Sequence, residues 1–288
     1  MTNDKRARQR ANRMERIHEE ERAEARARRN KLIIRWGLIA VGVLGLAFLY
    51  SVLSSDDDPA VEATGATATL SPGAEVLGGT APDCPAEDGS SERQTNFAAP
   101  PEICIEPDTL YTAEFVTSEG NFTAVLDPSL DLRSVNNFIV LARYHAYDGT
   151  IFHRVIEDFV IQGGDVEDAF GRGSPGYRFT GAFPPEDIPY QIGSIAMANS
   201  GDPASNGSQF FVVTGPDGAR LPPNYSLLGQ VTDGSDIALS INATDTEVRD
   251  IDGRPAADVP VVDVVLESVT IREATGDEKD AYEDLIDG

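Results

Sequence analysis

Phe152-His153-Arg154, Gln162-Gly163-Gly164-Asp165, Met197-Ala198-Asn199 and Asn206-Gly207-Ser208-Gln209-Phe210-Phe211 follow one another between residues 152 and 211 of a 288-residue chain. The blocks lie in or beside short runs rich in β-branched and aromatic residues. Ile151–Arg154, Phe159–Gln162, Ile195–Ala198 and Phe210–Thr214 read as strands punctuated by Gly and Pro. Strand alternation sends Phe210 and Phe211 to opposite faces, so one ring is free to enter a core while the other faces a cleft. Working outward, Tyr111–Val116 and Phe122–Leu126 form a hairpin across Ser118–Asn121. Val135, Phe138, Ile139, Leu141 and Ala142 trace the apolar face of a helix ending near Arg143, with Ser134 as its expected N-cap. Leu227–Val231 is a further strand, Ser235–Ile241 a short helix and Val261–Ile271 the last strand. So many short strands with only two helices predict a mainly β fold, a closed barrel.

The order and spacing of the four blocks resemble the active-site signature of the cyclophilin family of peptidyl-prolyl cis/trans isomerases, over roughly residues 109–273. The resemblance implies an eight-stranded antiparallel β-barrel capped by two helices, acting on Pro-containing polypeptides without metal or cofactor. Amide resonance sets a barrier of about 18–20 kcal/mol to X-Pro rotation. In the twisted transition state the proline nitrogen becomes pyramidal and gains a lone pair. A hydrogen-bond donor aimed there helps the transition state more than the planar ground state. Arg154 matches the family's donor, and a guanidinium suits the role because it is always charged and presents a rigid fork of N–H groups.

The resemblance further implies that Gln162 and Asn199 bind the substrate backbone, Asn199 mainly through its main chain beside Ala198. Gln209 matches the residue that helps orient the Arg. Phe159, Val160, Phe211, Leu221 and Tyr225 match the lining of the proline pocket. Some positions depart from the family. Arg220 stands where many members carry a rim Trp or His, Val160 replaces a common Met, and Tyr225 replaces a rim His. Catalysis tolerates such changes within the family, but tight cyclosporin binding is put in doubt. His153 has no paired Ser or Cys motif and the reaction needs no base, so it is read as structural or as part of the pocket rim. Gly163, Gly164 and Gly207 are backbone devices, since no phosphate-loop Lys-Ser/Thr follows them. A pocket that binds Pro-peptides without turning them over is the alternative; retention of Arg154 favours the enzyme.

Charge and hydropathy divide the chain. The formal net charge is −25, yet residues 1–35 carry 12 Lys/Arg against 6 Asp/Glu, leaving 11 Lys/Arg against 42 Asp/Glu in the rest. An acidic body is repelled by phosphate, so nucleic acid is not an expected partner. Residues 36–53 contain no charge and are long enough, with flanking apolar residues, to span a bilayer. The run exceeds the 7–15 apolar residues of a cleaved signal peptide, and no small-residue cleavage site follows closely. The basic excess lies before it and Asp56-Asp57-Asp58 after it. The positive-inside rule then places residues 1–35 in the cytoplasm, a single membrane-spanning helix over 36–54, and the remainder outside. Residues 55–83, rich in Ala, Thr, Gly, Ser and Asp, read as a tether. Residues 84–108 form a Cys-bounded lead-in that packs on the domain. The acidic end, residues 274–288, reads as a frayed tail. Cys84 and Cys104 are the only cysteines. They are too few for a four-ligand zinc site by themselves, and outside the membrane they are expected to form a disulfide, with two free thiols as the alternative.

Overall fold

The computed structural model describes residues 80–167, 170–184 and 190–286. The basic arm, the membrane span expected at 36–54 and nearly all of the 55–83 tether lie outside the described residues. Among the described residues, no helix is long and apolar enough to cross a membrane.

The elements run β1 (Tyr111–Thr117), β2 (Gly120–Leu126), α1 (Leu132–Arg143), β3 (Thr150–Ile151), β4 (Arg154–Ile156), β5 (Val160–Gly163), β6 (Ser194–Met197), β7 (Phe210–Val213), β8 (Leu227–Asp233), α2 (Ser235–Asn242), β9 (Thr246–Ile251), β10 (Arg254–Pro260), β11 (Val265–Glu273) and α3 (Gly276–Ile286). Among the described residues, nine strands form one sheet in the order β3-β11-β1-β2-β8-β6-β7-β5-β4, and β9 and β10 form a separate ribbon. The expectation was eight strands. The difference arises at Ile151–Arg154, read as one strand, which breaks at Phe152-His153. Its first part pairs with β11 and its second with β5. This two-residue corner joins the two ends of the sheet covalently, and both of its side chains are buried.

Apolar alternation on the strands and α1 converges on one core. Phe210 meets Phe115, Phe138, Tyr147 and Phe152, with ring centroids 5.3–6.3 Å apart, a range in which tilted and edge-to-face aromatic pairs are favourable. The hairpin turn between β1 and β2 is tighter than expected, with only Ser118-Glu119 between the strands. The N-cap of α1 is Asp131 rather than Ser134. Its carboxylate accepts from the amides of Arg133 and Ser134 at 3.2 and 3.3 Å, and the Ser134 hydroxyl donates to the same carboxylate. The helix starts at Leu132, so the free first-turn N–H groups lie within reach of residue 131, whereas Ser134 already sits inside that turn.

A one-sided amphipathic helix was expected at α1, yet residues Ser134–Arg143 are all buried. The lead-in covers the second side. Asn136 donates to the Glu102 carbonyl at 2.8 Å and accepts from the Cys104 amide at 2.7 Å. Phe97 packs on Tyr144 and Tyr177. Arg93 donates to the carbonyls of His145 and Asp148. Cys84 and Cys104 are joined, with Cα atoms 5.4 Å apart. The strap so formed also touches the loop after β5, where the Phe97 amide donates to the Pro175 carbonyl at 2.7 Å.

Two further readings are corrected. The acidic end is not frayed but forms α3. Glu278 accepts from Arg272, Thr112 and the Thr275 amide, and Tyr282 is buried with its hydroxyl on Asp127. The sequence shows no long apolar stripe here; one aromatic anchor and one carboxylate suffice to dock the helix. The last strand begins at Val265 rather than Val261, because residues 246–260 turn back on themselves as the β9–β10 ribbon.

Candidate active site

Arg154 opens β4 and is the cross-strand partner of Gln162 on β5, which in turn pairs with Phe211 on β7. Three adjacent strands therefore bring the guanidinium, the amide and the aromatic ring together. Nine of the ten expected catalytic and substrate-binding residues, Arg154, Phe159, Val160, Gln162, Ala198, Asn199, Phe211, Leu221 and Tyr225, line one cleft of about 90 Å³. The tenth, Gln209, stands behind Gln162. Arg154 Nη1 donates to Gln162 Oε1 at 3.2 Å, Gln162 Nε2 donates to Gln209 Oε1 at 3.1 Å, and Gln209 Nε2 donates to the Gly173 carbonyl at 3.5 Å. One terminus of the guanidinium is thereby tied down while Arg154 remains part of the cleft wall.

The rings of Phe211 and Tyr225 meet edge-on at 5.3 Å, while Phe210 turns into the main core. Beneath the cleft lies a second apolar cluster of Val160, Tyr190, Ala196, Phe211, Val213 and Leu227. Tyr190, which the sequence reading passed over, holds Tyr225 by both backbone groups. Its hydroxyl donates to the Tyr225 carbonyl at 2.7 Å and accepts from the Tyr225 amide at 3.0 Å. Burial pushes the Tyr190 hydroxyl up to about 12, so it stays protonated and keeps both bonds at neutral pH. Asn199 spends its side chain on its own loop region, donating to the Asn224 carbonyl and accepting from the Gly201 amide.

The loops are fixed from below. Asn137 and Tyr147 donate to the carbonyls of Gly207 and Ser208, which anchors the Asn206–Phe211 block to α1 and the turn after it. Gly164 has φ +76, and a Cβ there would lie 2.7 Å from the Phe210 ring, so glycine is required at that point. Asp165 is buried and ties the following loop by accepting from the amides of Glu167, Gly171 and Gly173. His153 is only 4% exposed, and among the described residues neither ring nitrogen has a hydrogen-bond partner of good geometry. Burial lowers its pKa to about 4; Asp165 opposes this and Arg154 adds to it. A neutral, shielded imidazole behind the cleft wall is a structural group. Arg220 is exposed and pairs with Asp217 at 2.7 Å.

A second cleft of about 190 Å³ adjoins the first, sharing Gln162, Ala198 and Asn199 and adding Arg172 and Arg178 from the loop after β5. Both arginines reach carbonyls, Arg172 that of Ile251 and Arg178 that of Ser205. The ribbon that supplies Ile251 was missed in the sequence. Its signal was Asp252-Gly253, both at positive φ, the two-residue turn favoured by tight hairpins.

Residues 112–268 match the family model described as cyclophilin type peptidyl-prolyl cis-trans isomerase/CLD. A probable peptidyl-prolyl cis-trans isomerase A of Mycobacterium leprae is 38% identical over 178 residues, 56% of this chain and 91% of that protein. Peptidyl-prolyl cis-trans isomerase B of Streptomyces anulatus is 38% identical over 176 residues, covering 55% of this chain and 95% of that one. Among solved structures, a Cryptosporidium parvum cyclophilin type peptidyl-prolyl cis-trans isomerase superposes with a TM-score of 0.51 at 26% identity, over 58% of this chain and 99% of that one. The same protein has been solved in the presence of the dipeptide Ala-Pro. The chain belongs to the cyclophilin-type peptidyl-prolyl cis-trans isomerase family, and it is an enzyme of that class.

Proposed function

We propose that this chain accelerates X-Pro rotation in extracytoplasmic polypeptides, with Arg154 donating to the prolyl nitrogen as it becomes pyramidal. The observation that carries this reading is the placement of the Arg154 guanidinium, held at Nη1 by Gln162, in the wall of an apolar cleft that also holds Phe211, Leu221 and Tyr225. The proline ring enters the apolar part. Gln162 and the main chain at Ala198–Asn199 hold the peptide on either side, so the bond rotates against a fixed frame. The fork of Arg154 gains a partner only once the nitrogen leaves the amide plane. That interaction strengthens from ground state to transition state, as rate acceleration requires. No nucleophile or proton transfer is needed, which suits a site whose imidazole, His153, is buried away from the cleft.

The cellular setting rests on the sequence. The uncharged run at 36–53 behind a basic arm supports a single-pass anchor with the isomerase outside. A bonded Cys84–Cys104 pair fits an oxidising compartment. Clients are Pro-containing chains in folding at that membrane face, and the departures at Arg220, Val160 and Tyr225 argue against tight cyclosporin binding. The covalent corner at Phe152-His153 is read as closing the sheet into a barrel.

The test is isomerisation of a short Ala-Pro peptide by the full-length protein beside Arg154→Ala. Loss of one preorganised transition-state donor costs up to about 10²–10³-fold elsewhere. A fall in kcat/KM of about tenfold or more is expected here, the prolyl nitrogen developing less charge than an oxyanion. Unchanged kcat/KM in a folded variant would remove Arg154 from the mechanism.

A further inference from the structure

The β9–β10 ribbon reaches the active site from outside the main sheet. β10 packs against β4, the strand that carries Arg154. From β9, Arg249 lies over the Phe170 ring, and the Ile251 carbonyl faces Arg172. Opposite Arg154 the ribbon is irregular. The register steps from Ala256↔Arg249 to Val259↔Glu247, so Ala257 and Asp258 together face Val248. A bulge of this kind re-aims a side chain. Asp258 sits at φ +61, a left-handed conformation that Asp tolerates better than most non-glycine residues. Its Oδ2 lies 3.8 Å from Arg154 Nε, and both side chains are about half exposed, at 43% and 41%.

We propose that Asp258 is a positioning residue for the isomerase reaction: the bulged ribbon places its carboxylate at Nε of Arg154, opposite the Gln162 contact, and so fixes the plane of the guanidinium facing the cleft. The proposal rests on the reading of Arg154 as the donor. Arg154 carries considerable rotamer freedom, and its hydrogen bond at Nη1, the one it makes among the described residues, leaves the fork able to swing about that contact. The carboxylate at Nε, at ion-pair distance, biases that swing toward one orientation while sparing the remaining terminal N–H groups for the substrate. Asp258 does not itself line the cleft, so it acts through Arg154. Its effect falls on how often the fork is correctly aimed, not on peptide affinity.

The experiment compares full-length wild type with Asp258→Asn, Asp258→Glu, Arg154→Ala and the double variant Arg154→Ala/Asp258→Asn. kcat and KM for an Ala-Pro peptide are measured together with melting temperature. Asn tolerates the left-handed backbone and keeps the shape while removing the charge. Asp258→Asn is expected to lower kcat about two- to fivefold, the scale of a half-exposed ion pair, with KM and melting temperature unchanged. Asp258→Glu is expected to recover part of the loss. In the Arg154→Ala background Asp258→Asn should have no further effect, since the group it positions is gone. Should Asn lower the melting temperature, Asp258→Gly, which relieves the positive φ, replaces it. Unchanged or faster turnover, a loss confined to KM, or the same fold-loss with and without Arg154 would each overturn the proposal. A fully active Arg154→Ala sinks the donor reading itself; a slow Arg154→Ala beside a fully active Asp258→Asn sinks only the positioning role.

Discussion

His153 gives the stability of this domain a pH dependence that can be worked out in advance. The ring is 4% exposed with both nitrogens unpartnered among the described residues, and its pKa falls from 6.5 to about 4 because burial penalises the cation. In the unfolded chain the same imidazole titrates near its ordinary value. The sign follows from proton counting. Above pH 6.5 neither state holds the proton and stability is complete. As pH falls from 6.5 toward 4, the unfolded state takes a proton that the folded state refuses, so unfolding is favoured. Below about pH 4 both states are protonated and the loss levels off. At about 1.4 kcal/mol per pH unit, the full loss is about 3 kcal/mol, an appreciable part of a typical domain's 5–15. Replacing His153 by Gln removes the titrating group while keeping a polar side chain of similar length. Urea unfolding of both proteins between pH 7 and 4 isolates the term, because the carboxylates are common to both and cancel in the difference. The stability gap between variant and wild type should move in favour of the variant by about 3 kcal/mol across that window. Parallel curves, within about 0.5 kcal/mol, would mean that His153 is not shielded as the structure has it.

The Cys84–Cys104 bond closes a strap with a sequence separation of 20. Serine at both positions should cost about 3 kcal/mol in the chain-entropy model, or roughly 6–12 °C in Tm for a domain of this size; a Tm shift under about 2 °C in calorimetry would contradict it. Arg172 and Arg178 line the cleft next to the one that holds Arg154 and Phe211, on an otherwise acidic body. Peptides with Glu rather than Lys in the residues flanking Ala-Pro should show KM about two- to fivefold lower. The preference should disappear in the Arg172→Ala/Arg178→Ala variant; equal KM values in wild type would refute a charge-selective cleft.

The cleft residues were legible in the sequence because they lie in or near short contiguous blocks whose order resembles that of a known family. Once Arg154, Gln162 and Phe211 are each placed on strands, their cross-strand register makes them neighbours. The period of two along a strand sends Phe210 and Phe211 to opposite faces; it took the family resemblance to say that Phe211 is the ring in the cleft. Helix α1 was visible from its apolar spacing, but its burial on both sides was not, since the covering strap of residues 84–108 has no periodic pattern. Its grip comes from single contacts such as Asn136 with Cys104 and Phe97 with Tyr144.

By itself, then, the sequence determined what depends on local chemistry: the alternation that makes the strands, the charge step around residues 36–53, and the type and order of the side chains that line the cleft. Tertiary structure alone decided which distant groups complete them. Tyr190 holds Tyr225, the acidic end docks through Tyr282, and Asp258 reaches Arg154 from a ribbon about a hundred residues away in sequence. These contacts have no sequence signature because each is a single pair whose partners are set by the folded path of the chain. A lone Asp or Tyr reads as a surface residue until the backbone carries it to its partner.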